Sequence, residues 1–402
     1  MMMNPGEHAL VERLRLIHRR STYRRVIAGT DVIIHCHHYN SRIQRTVEGA
    51  VGIDGKALLV ATAERVFSKY VRDTFVDGDS LAIRWAMAEQ LYAHLGYGRI
   101  DLSRVAEGEI VAPSSHFVEG WSVGLGRRSE PVCSFTEGYI QGAIFAVTGE
   151  LTDVQEVECM ASGGSCCRFA IKRGRSRPIE AIEQRPVDFT PASQEGYLHS
   201  ASVDEEAIIN AVVSMPLYGG GENGLIPVFG VYLANTPALF YNLLSLGFIE
   251  AMAAKGRERA ARRLLQEDAE TCGMNTFRGI MCSTEWEGLI APMIREPADN
   301  LHALIAVSNA LGWGNWHIRQ HTPGLSLQLE SLNGYEALGF KELRGPAERP
   351  QCSMLTGVAA GLMELIYGQG TLDERFGSYV ADESVCICCG ASRCSFAVER
   401  VS

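Results

Sequence analysis

Three segments of this chain recur, in the same order, in its second half. LYAHLGYGRIDL at 91–102 matches SNALGWGNWHI at 308–318, with LGYG set on LGWG. EPVCSFTEGYIQGAI at 130–144 matches RPQCSMLTGVAAGLM at 349–363, and VECMASGGSCCRFAI at 157–171 matches VCICCGASRCSFAV at 385–398. An ordered set of this kind predicts two copies of one domain. At 402 residues the chain is also long enough for two. The copies are expected at 1–175 and 201–402. Between them, 176–200 is polar and proline-bearing and reads as a linker. Two such copies in one chain are expected to pack as an intrachain pseudo-dimer.

The pattern within each copy predicts a mixed α/β (α+β) domain in which an antiparallel sheet is packed with helices. YVRDTFVDGDSLAIRWAMAEQLYAHLG, 70–96, reads as helical up to Gly96, and 99–115 as strand, turn, strand. Ser134 followed by Glu137 has the form of a capping box opening a helix to about Val147. The partner helix is expected from Ser353 to Tyr367. VQEVECM and CCRFAIK then read as a hairpin around the glycine-rich tip ASGGS.

Cysteines gather at that tip. Cys133 precedes a helix start, Glu156 and Cys159 lie on the first hairpin strand, and Cys167 follows the tip. In the second copy Cys352, Glu383, Cys386 and Cys394 repeat the set, and the last three keep the spacings of three and eight residues. Cys388 and Cys389 crowd the second tip. Buried thiols often serve as small core hydrophobes, but a matching set in both halves favours a ligand set. No histidine recurs beside them to make a catalytic pair. Three thiolates and a carboxylate suit tetrahedral Zn²⁺ in a closed structural site, one or two per chain. The formal charge of −2 then calls for backbone N–H donors or a cation, for which Arg168 is a candidate.

A net charge of −10 argues against a general nucleic-acid or anionic-membrane surface. MMMNPGEHALVERLRLIHRR lacks the apolar core and cleavage site of a secretory signal, and no apolar run reaches the roughly 18 residues that span a bilayer. The expectation is a cytoplasmic chain whose cysteines are thiols or metal ligands, not disulfides.

SSHFVEGW, EPVCSFTEGYIQG and EVECMASGGSCCRF resemble the 4-vinyl-reductase-type small-molecule-binding domain. They are most similar to the version found in the sensor module of phenol- and xylene-responsive bacterial transcription activators. The resemblance is close over the second half of copy one and looser in copy two, through GWGNWHI, PQCSMLTG and CICCGASRCSF. It implies a zinc held by three cysteines and a glutamate, here Cys133, Glu156, Cys159 and Cys167. It also implies a fold like that of the dimeric vesicle-tethering TRAPP subunits. The family's roles include sensing aromatic effectors and an association with tetrapyrrole biosynthesis. The sequence has no G-x-x-x-x-G-K-[ST] loop and no convincing helix-turn-helix, so neither an ATPase motor nor an operator reader is expected.

HCHHYNSRIQRTVEG, 35–49, has no counterpart in copy two, where LANTPALFYNLL stands at 233–244. The segment is expected to leave a strand and enter a helix near Asn40. His35 and His38 would share a face if helical, His35 and His37 if extended. Three readings stand open: a metal or haem ligand set of His35, Cys36, His37 and His38; a polar lining for an organic ligand, with Tyr39, Asn40 and Glu48 adding hydrogen bonds; or a local network of satisfied imidazoles. His116 and Trp121 are placed at the same pocket. Trp286, Trp313, Trp316, Tyr335 and Phe340 are expected as core, with His317 and His321 near them.

The expected function is a zinc-stabilised small-molecule-binding or sensory protein for a hydrophobic or aromatic ligand, with a homodimer or a regulatory protein as further partner. The alternative is a metalloenzyme using His35–His38 to hold iron, haem or a second zinc and act on a small organic or tetrapyrrole substrate.

Overall fold

The computed structural model describes residues 10–126 and 128–401; the first nine residues, part of the N-terminal stretch discussed above, lie outside it. The first half runs β1 (Leu16–Arg19), β2 (Arg24–Ile27), β3 (Thr30–Cys36), α1 (His37–Gly49), α2 (Gly55–Asp73), α3 (Leu81–His94), β4 (Gly98–Asp101), β5 (Glu109–Ser115), α4 (His116–Gly124), α5 (Ser134–Thr148), β6 (Thr152–Glu158) and β7 (Cys167–Arg173). The second runs α6 (Glu205–Ser214), β8 (Ile226–Val228), β9 (Val231–Pro237), α7 (Ala238–Ala253), α8 (Glu258–Met281), α9 (Thr284–Leu289), α10 (Pro297–Ala310), β10 (Trp316–Thr322), β11 (Ser326–Ser331), α11 (Tyr335–Arg344), α12 (Ser353–Tyr367), α13 (Leu372–Arg375), β12 (Tyr379–Val385) and β13 (Cys394–Arg400).

Each half holds its own four-stranded antiparallel sheet, and the strand orders correspond: β4-β5-β7-β6 and β10-β11-β13-β12. A helix pair packs beside each, α2 with α5 and α8 with α12. In both pairs two glycines four residues apart let the helix backbones approach. A Cβ on Gly142 would lie 2.7 Å from the Ser68 nitrogen, and one on Gly361 2.5 Å from the Glu270 carbonyl oxygen. Gly138 and Gly357 make the same close approach one turn earlier.

The halves are joined by a third sheet, β1-β2-β3-β9-β8, in which β3 and β9 pair antiparallel. Paired this way, neither strand is left as an open edge. Ile34 sits opposite Asn235, and α1 and α7 follow their strands at equivalent places, so a pseudo-twofold axis passes through this pair. The recurring LGYG and LGWG turns lock the exchange. The Asn235 N–H donates to the Leu95 carbonyl at 2.8 Å, and the Ile34 N–H to the Leu311 carbonyl at 3.0 Å. Tyr97 and Trp313, two residues further along each turn, donate to the carbonyls of Asn235 and Ile34. Each half's turn thus closes on the other half's strand. Residues 176–200 form no helix or strand and lie along the second half, through Arg185 N–H to Glu342 O, Ala192 N–H to Ser392 O and Leu198 N–H to Ile318 O.

Several local expectations are corrected. The segment 70–96 is not one helix: α2 ends at Asp73, a turn with Gly78 at φ +88° intervenes, and Ser80 caps α3. Its predicted end at Gly96, φ +89°, holds. Ser134 makes no capping box, because Cys133 occupies the cap position and the Ser134 hydroxyl donates to Glu48 instead. The histidine helix begins at His37, not near Asn40. The strand-to-helix junction therefore falls inside the cluster, and neither periodicity governs its faces. The hairpin and the Ser353–Tyr367 helix are as expected.

Candidate functional site

Cys133 precedes the first turn of α5, Glu156 and Cys159 end β6, and Cys167 starts β7, so hairpin and helix start converge. The four side chains are buried and offer ligand atoms within 4.8 Å of one another; Cys352, Glu383, Cys386 and Cys394 do the same in the second half. Cys133 Sγ lies 3.7 Å from Cys167 Sγ, which lies 4.0 Å from Cys159 Sγ. In the second half Cys352–Cys394, Cys386–Cys394 and Cys352–Cys386 are 3.7, 3.8 and 4.0 Å apart. Zn–S bonds of about 2.3 Å in a tetrahedron set sulfurs about 3.8 Å apart, whereas a disulfide needs about 2.05 Å.

The carboxylates meet the same test. Glu156 Oε2 accepts from the Cys133 N–H at 2.7 Å and Glu383 Oε2 from the Cys352 N–H at 2.8 Å. In both, the buried Oε1 has no hydrogen-bond partner and is free to ligate. Burial and the adjacent Cys159 thiol push the Glu156 carboxyl up to about 8; burial and Cys386 push Glu383 up to about 9. Burial likewise raises Cys133 and Cys352. Neighbouring cations are already engaged: Lys56 pairs with Glu137, and Arg168 with Glu109 and Glu158. Arg168 therefore does not compensate the cluster, contrary to the expectation from sequence; backbone N–H groups face it instead. A bound divalent ion would invert this balance and favour the deprotonated ligands.

The residues singled out around the histidine segment go to three adjoining places. His35 is buried between the halves, its ring stacked on Tyr39 (4.4 Å between centroids) and Trp313 (5.1 Å) with its flank against the edge of Tyr241 (4.7 Å). Neither of its ring nitrogens has a partner, and burial pushes it down to about 3, so it is neutral. His37 accepts the Tyr232 N–H at Nδ1 (3.0 Å) and stacks on His38, while its Nε2 has no partner. Cys36 bonds the Thr276 hydroxyl. The three groups of His, Cys, Asp and Glu found among the described residues with a metal-holding geometry contain no histidine, so His35, His37 and His38 are not brought to one point.

Asn40, Gln44 and Glu48 form a polar stripe on one face of α1, at successive i, i+4 positions. Asn40 accepts the Tyr241 hydroxyl at 2.6 Å and donates to His116 Nε2 at 2.9 Å. This places the His116 proton on Nδ1, which is buried without a partner. Burial, then His37, pushes His116 down to about 3. Gln44 donates to Glu48 and to the Val132 carbonyl. Glu48 accepts from Ser134 and Arg128, and Arg128 stacks over Trp121 in a cleft of about 270 Å³. Beneath the stripe lies a void of about 10 Å³, room for about one water. Asn40, Gln44, Phe117, Phe135, Thr236 and Phe240 line it. Gln44 escaped the sequence reading, although its spacing from Asn40 and Glu48 could have signalled it. Thr236 and Phe240 come from the other half, and only the β3–β9 pairing reveals them. Trp286, Trp313, Trp316 and Tyr335 are buried as expected and Phe340 partly so; His317 stacks on Tyr197 and His321 lies against Tyr367.

Fold and site together define an internally symmetric α+β chain with a metal-capable Cys₃Glu cluster in each half. Residues 123–173, which include Cys133, Glu156, Cys159 and Cys167, match the 4-vinyl-reductase (V-4-R) domain. No curated protein matches the chain. Among solved structures, the chain is similar to the phenol-responsive sensory domain of the transcription activator PoxR with phenol. The identity is 20% and the TM-score 0.36, over 42% of this chain and 88% of that one. No described helix is long and apolar enough to cross a membrane.

Proposed function

We propose that the chain is a tandem of two 4-vinyl-reductase-type domains, 1–175 and 201–402 with 176–200 as linker. Each holds a structural zinc, and the first binds a small aromatic or hydrophobic molecule bearing a hydrogen-bonding group. Cys133, Glu156, Cys159 and Cys167, and their counterparts Cys352, Glu383, Cys386 and Cys394, are the zinc ligands. When bound, the ion supplies a cross-link between hairpin and helix start. Four buried donors leave no open position for chemistry.

The observation that carries the ligand reading is a group of buried polar atoms without partners beside an aromatic-lined void. His37 Nε2, His116 Nδ1, Trp121 Nε1 and Gln44 Oε1 are all of this kind. Each such atom costs about 1–3 kcal/mol, and a ligand hydroxyl or carbonyl would satisfy some of them. A guest larger than water must shift Phe117 and α4 away from Phe135, two residues after Cys133. Ligand and metal centre would thereby share the first turn of α5. The iron or haem reading of His35–His38 lacks comparable support, since those rings do not converge.

The test is calorimetric titration of the full-length protein with phenol, 4-cresol and 1-naphthol, followed in parallel by tryptophan fluorescence. Saturable binding is expected, weakened at least tenfold, or about 1.4 kcal/mol, by Asn40→Leu with zinc content unchanged. No saturable binding by any of the three, or binding indifferent to Asn40→Leu, refutes the site.

A further inference from the structure

The two metal clusters are alike in their four ligands and unlike at the hairpin tip. In the first half the tip is a single tight turn, Met160–Ser162, closed by Gly163 at φ +100°; in the second it is Ile387–Cys389, closed by Gly390 at φ +93°. The hydrogen bonds correspond one for one: Ser162 N–H to Cys159 O and Gly163 N–H to Met160 O, against Cys389 N–H to Cys386 O and Gly390 N–H to Ile387 O. On this common backbone Ala161 and Ser162 stand where the second half carries Cys388 and Cys389. The extra thiols are additions to an unchanged scaffold, not consequences of a different one.

These thiols are placed to ligate. Cys388 Sγ lies 3.0 Å from Cys386 Sγ and 3.9 Å from Cys389 Sγ, and the three sulfurs form a group of metal-holding geometry in their own right. Cys386 belongs to both this group and the Cys₃Glu cluster. Cys388 is buried and Cys389 exposed, so the group runs from the closed cluster to solvent.

We infer that the second half carries an additional, solvent-connected site for a thiophilic ion, built from Cys386, Cys388 and Cys389 and sharing the Cys386 thiolate with the closed centre. Its donors are all sulfur, which selects soft ions such as Zn²⁺, Cd²⁺ or Cu⁺ over Mg²⁺ or Ca²⁺. Three donors with one exposed leave room for an outside ligand, unlike the four buried donors of the closed centre. An ion captured at Cys389 is thereby already bonded to a ligand of the inner site, which makes the tip its port of entry.

The inference rests on the two-centre reading above, and ion counting separates the two. Full-length protein, reduced with a phosphine under nitrogen, is loaded with excess cadmium acetate, desalted and weighed by native mass spectrometry. Thiolate-to-cadmium absorption is recorded alongside. Three ions per chain are expected for the natural sequence and two for Cys388→Ala/Cys389→Ser, which installs the residues that the first half folds with at the same positions. Two ions in the natural sequence, or three in both proteins, overturns the additional site and leaves the closed centres standing. One or none in the natural sequence overturns both.

Discussion

Replacing one glycine at the α2–α5 crossing should reverse the usual effect of a helical glycine-to-alanine change. Alanine is favoured over glycine in a helix interior by about 1 kcal/mol. At Gly288 in α9 a Cβ would have nothing within 4 Å, so Gly288→Ala should stabilise by roughly 0.4–1 kcal/mol. At Gly142 the new methyl would meet the Ser68 nitrogen at 2.7 Å and the Glu64 oxygen at 2.8 Å, well inside the 3.4 Å where ordinary contact begins. Both obstacles are backbone, so no rotamer change relieves them and the helices must separate. Overpacking of this kind costs about 1–3 kcal/mol. Set against the propensity gain, Gly142→Ala should lose on the order of 1–2 kcal/mol, and Gly361→Ala a similar amount across α8–α12. The assay is urea unfolding by far-ultraviolet circular dichroism at fixed free zinc, because a bound ion shifts the midpoint by mass action. A midpoint for Gly142→Ala equal to or above that of the natural protein would refute the close-packing argument.

Two further outcomes are expected. Cys159→Ser should remove one zinc and raise hydrogen exchange in β6 and β7 while α8 and α12 stay protected; unchanged exchange in that hairpin would deny the metal its structural role. His35 and His116, held near 3 by burial, should show no ring titration by NMR between about pH 8 and pH 5. Because their folded values lie below the unfolded value of about 6.5, the native state binds fewer protons. Stability is then full above about pH 6.5 and falls with acidification toward about pH 3, by about 1.4 kcal/mol per pH unit for each ring. A ring titrating near its ordinary value in the folded protein would show that it is solvated.

The cysteine clusters were legible because their chemistry is local: Glu, Cys and Cys at spacings of three and eight sit on one hairpin whose tip geometry is fixed by Gly163 or Gly390. The duplication was legible for the same reason. The glycine pairs Gly138/Gly142 and Gly357/Gly361 stood within the repeated segments, yet their meaning depends on a helix from elsewhere in the chain. The break at 74–80 was hidden because apolar residues continue on both sides of Asp77-Gly78-Asp79. Least visible was the central sheet. Whether β3 pairs with β9, and in what register, is set by contacts between strands some two hundred residues apart, and no local pattern carries that information.

That central sheet also explains how the halves came to differ where they did. The axis through Ile34 and Asn235 makes Asn40 equivalent to Tyr241, Gln44 to Ser245 and Glu48 to Ile249. Asn40 and Tyr241 are hydrogen-bonded to each other, so equivalent positions of the two halves meet near the axis. In a symmetric dimer of identical chains the two would have to be one residue type, and either two amides or two phenols would face each other there. Joining the halves in one chain lifts that constraint. Tyr241 can then supply the hydroxyl that fixes the Asn40 amide, and Asn40 in turn fixes His116. Trp313 closes over His35 from the second half, while its counterpart Tyr97 reaches Thr236 through its hydroxyl. The polar stripe of α1 thus depends on a partner that has become apolar and aromatic, so the second half acts as a wall of the first half's site in place of being a second copy of it.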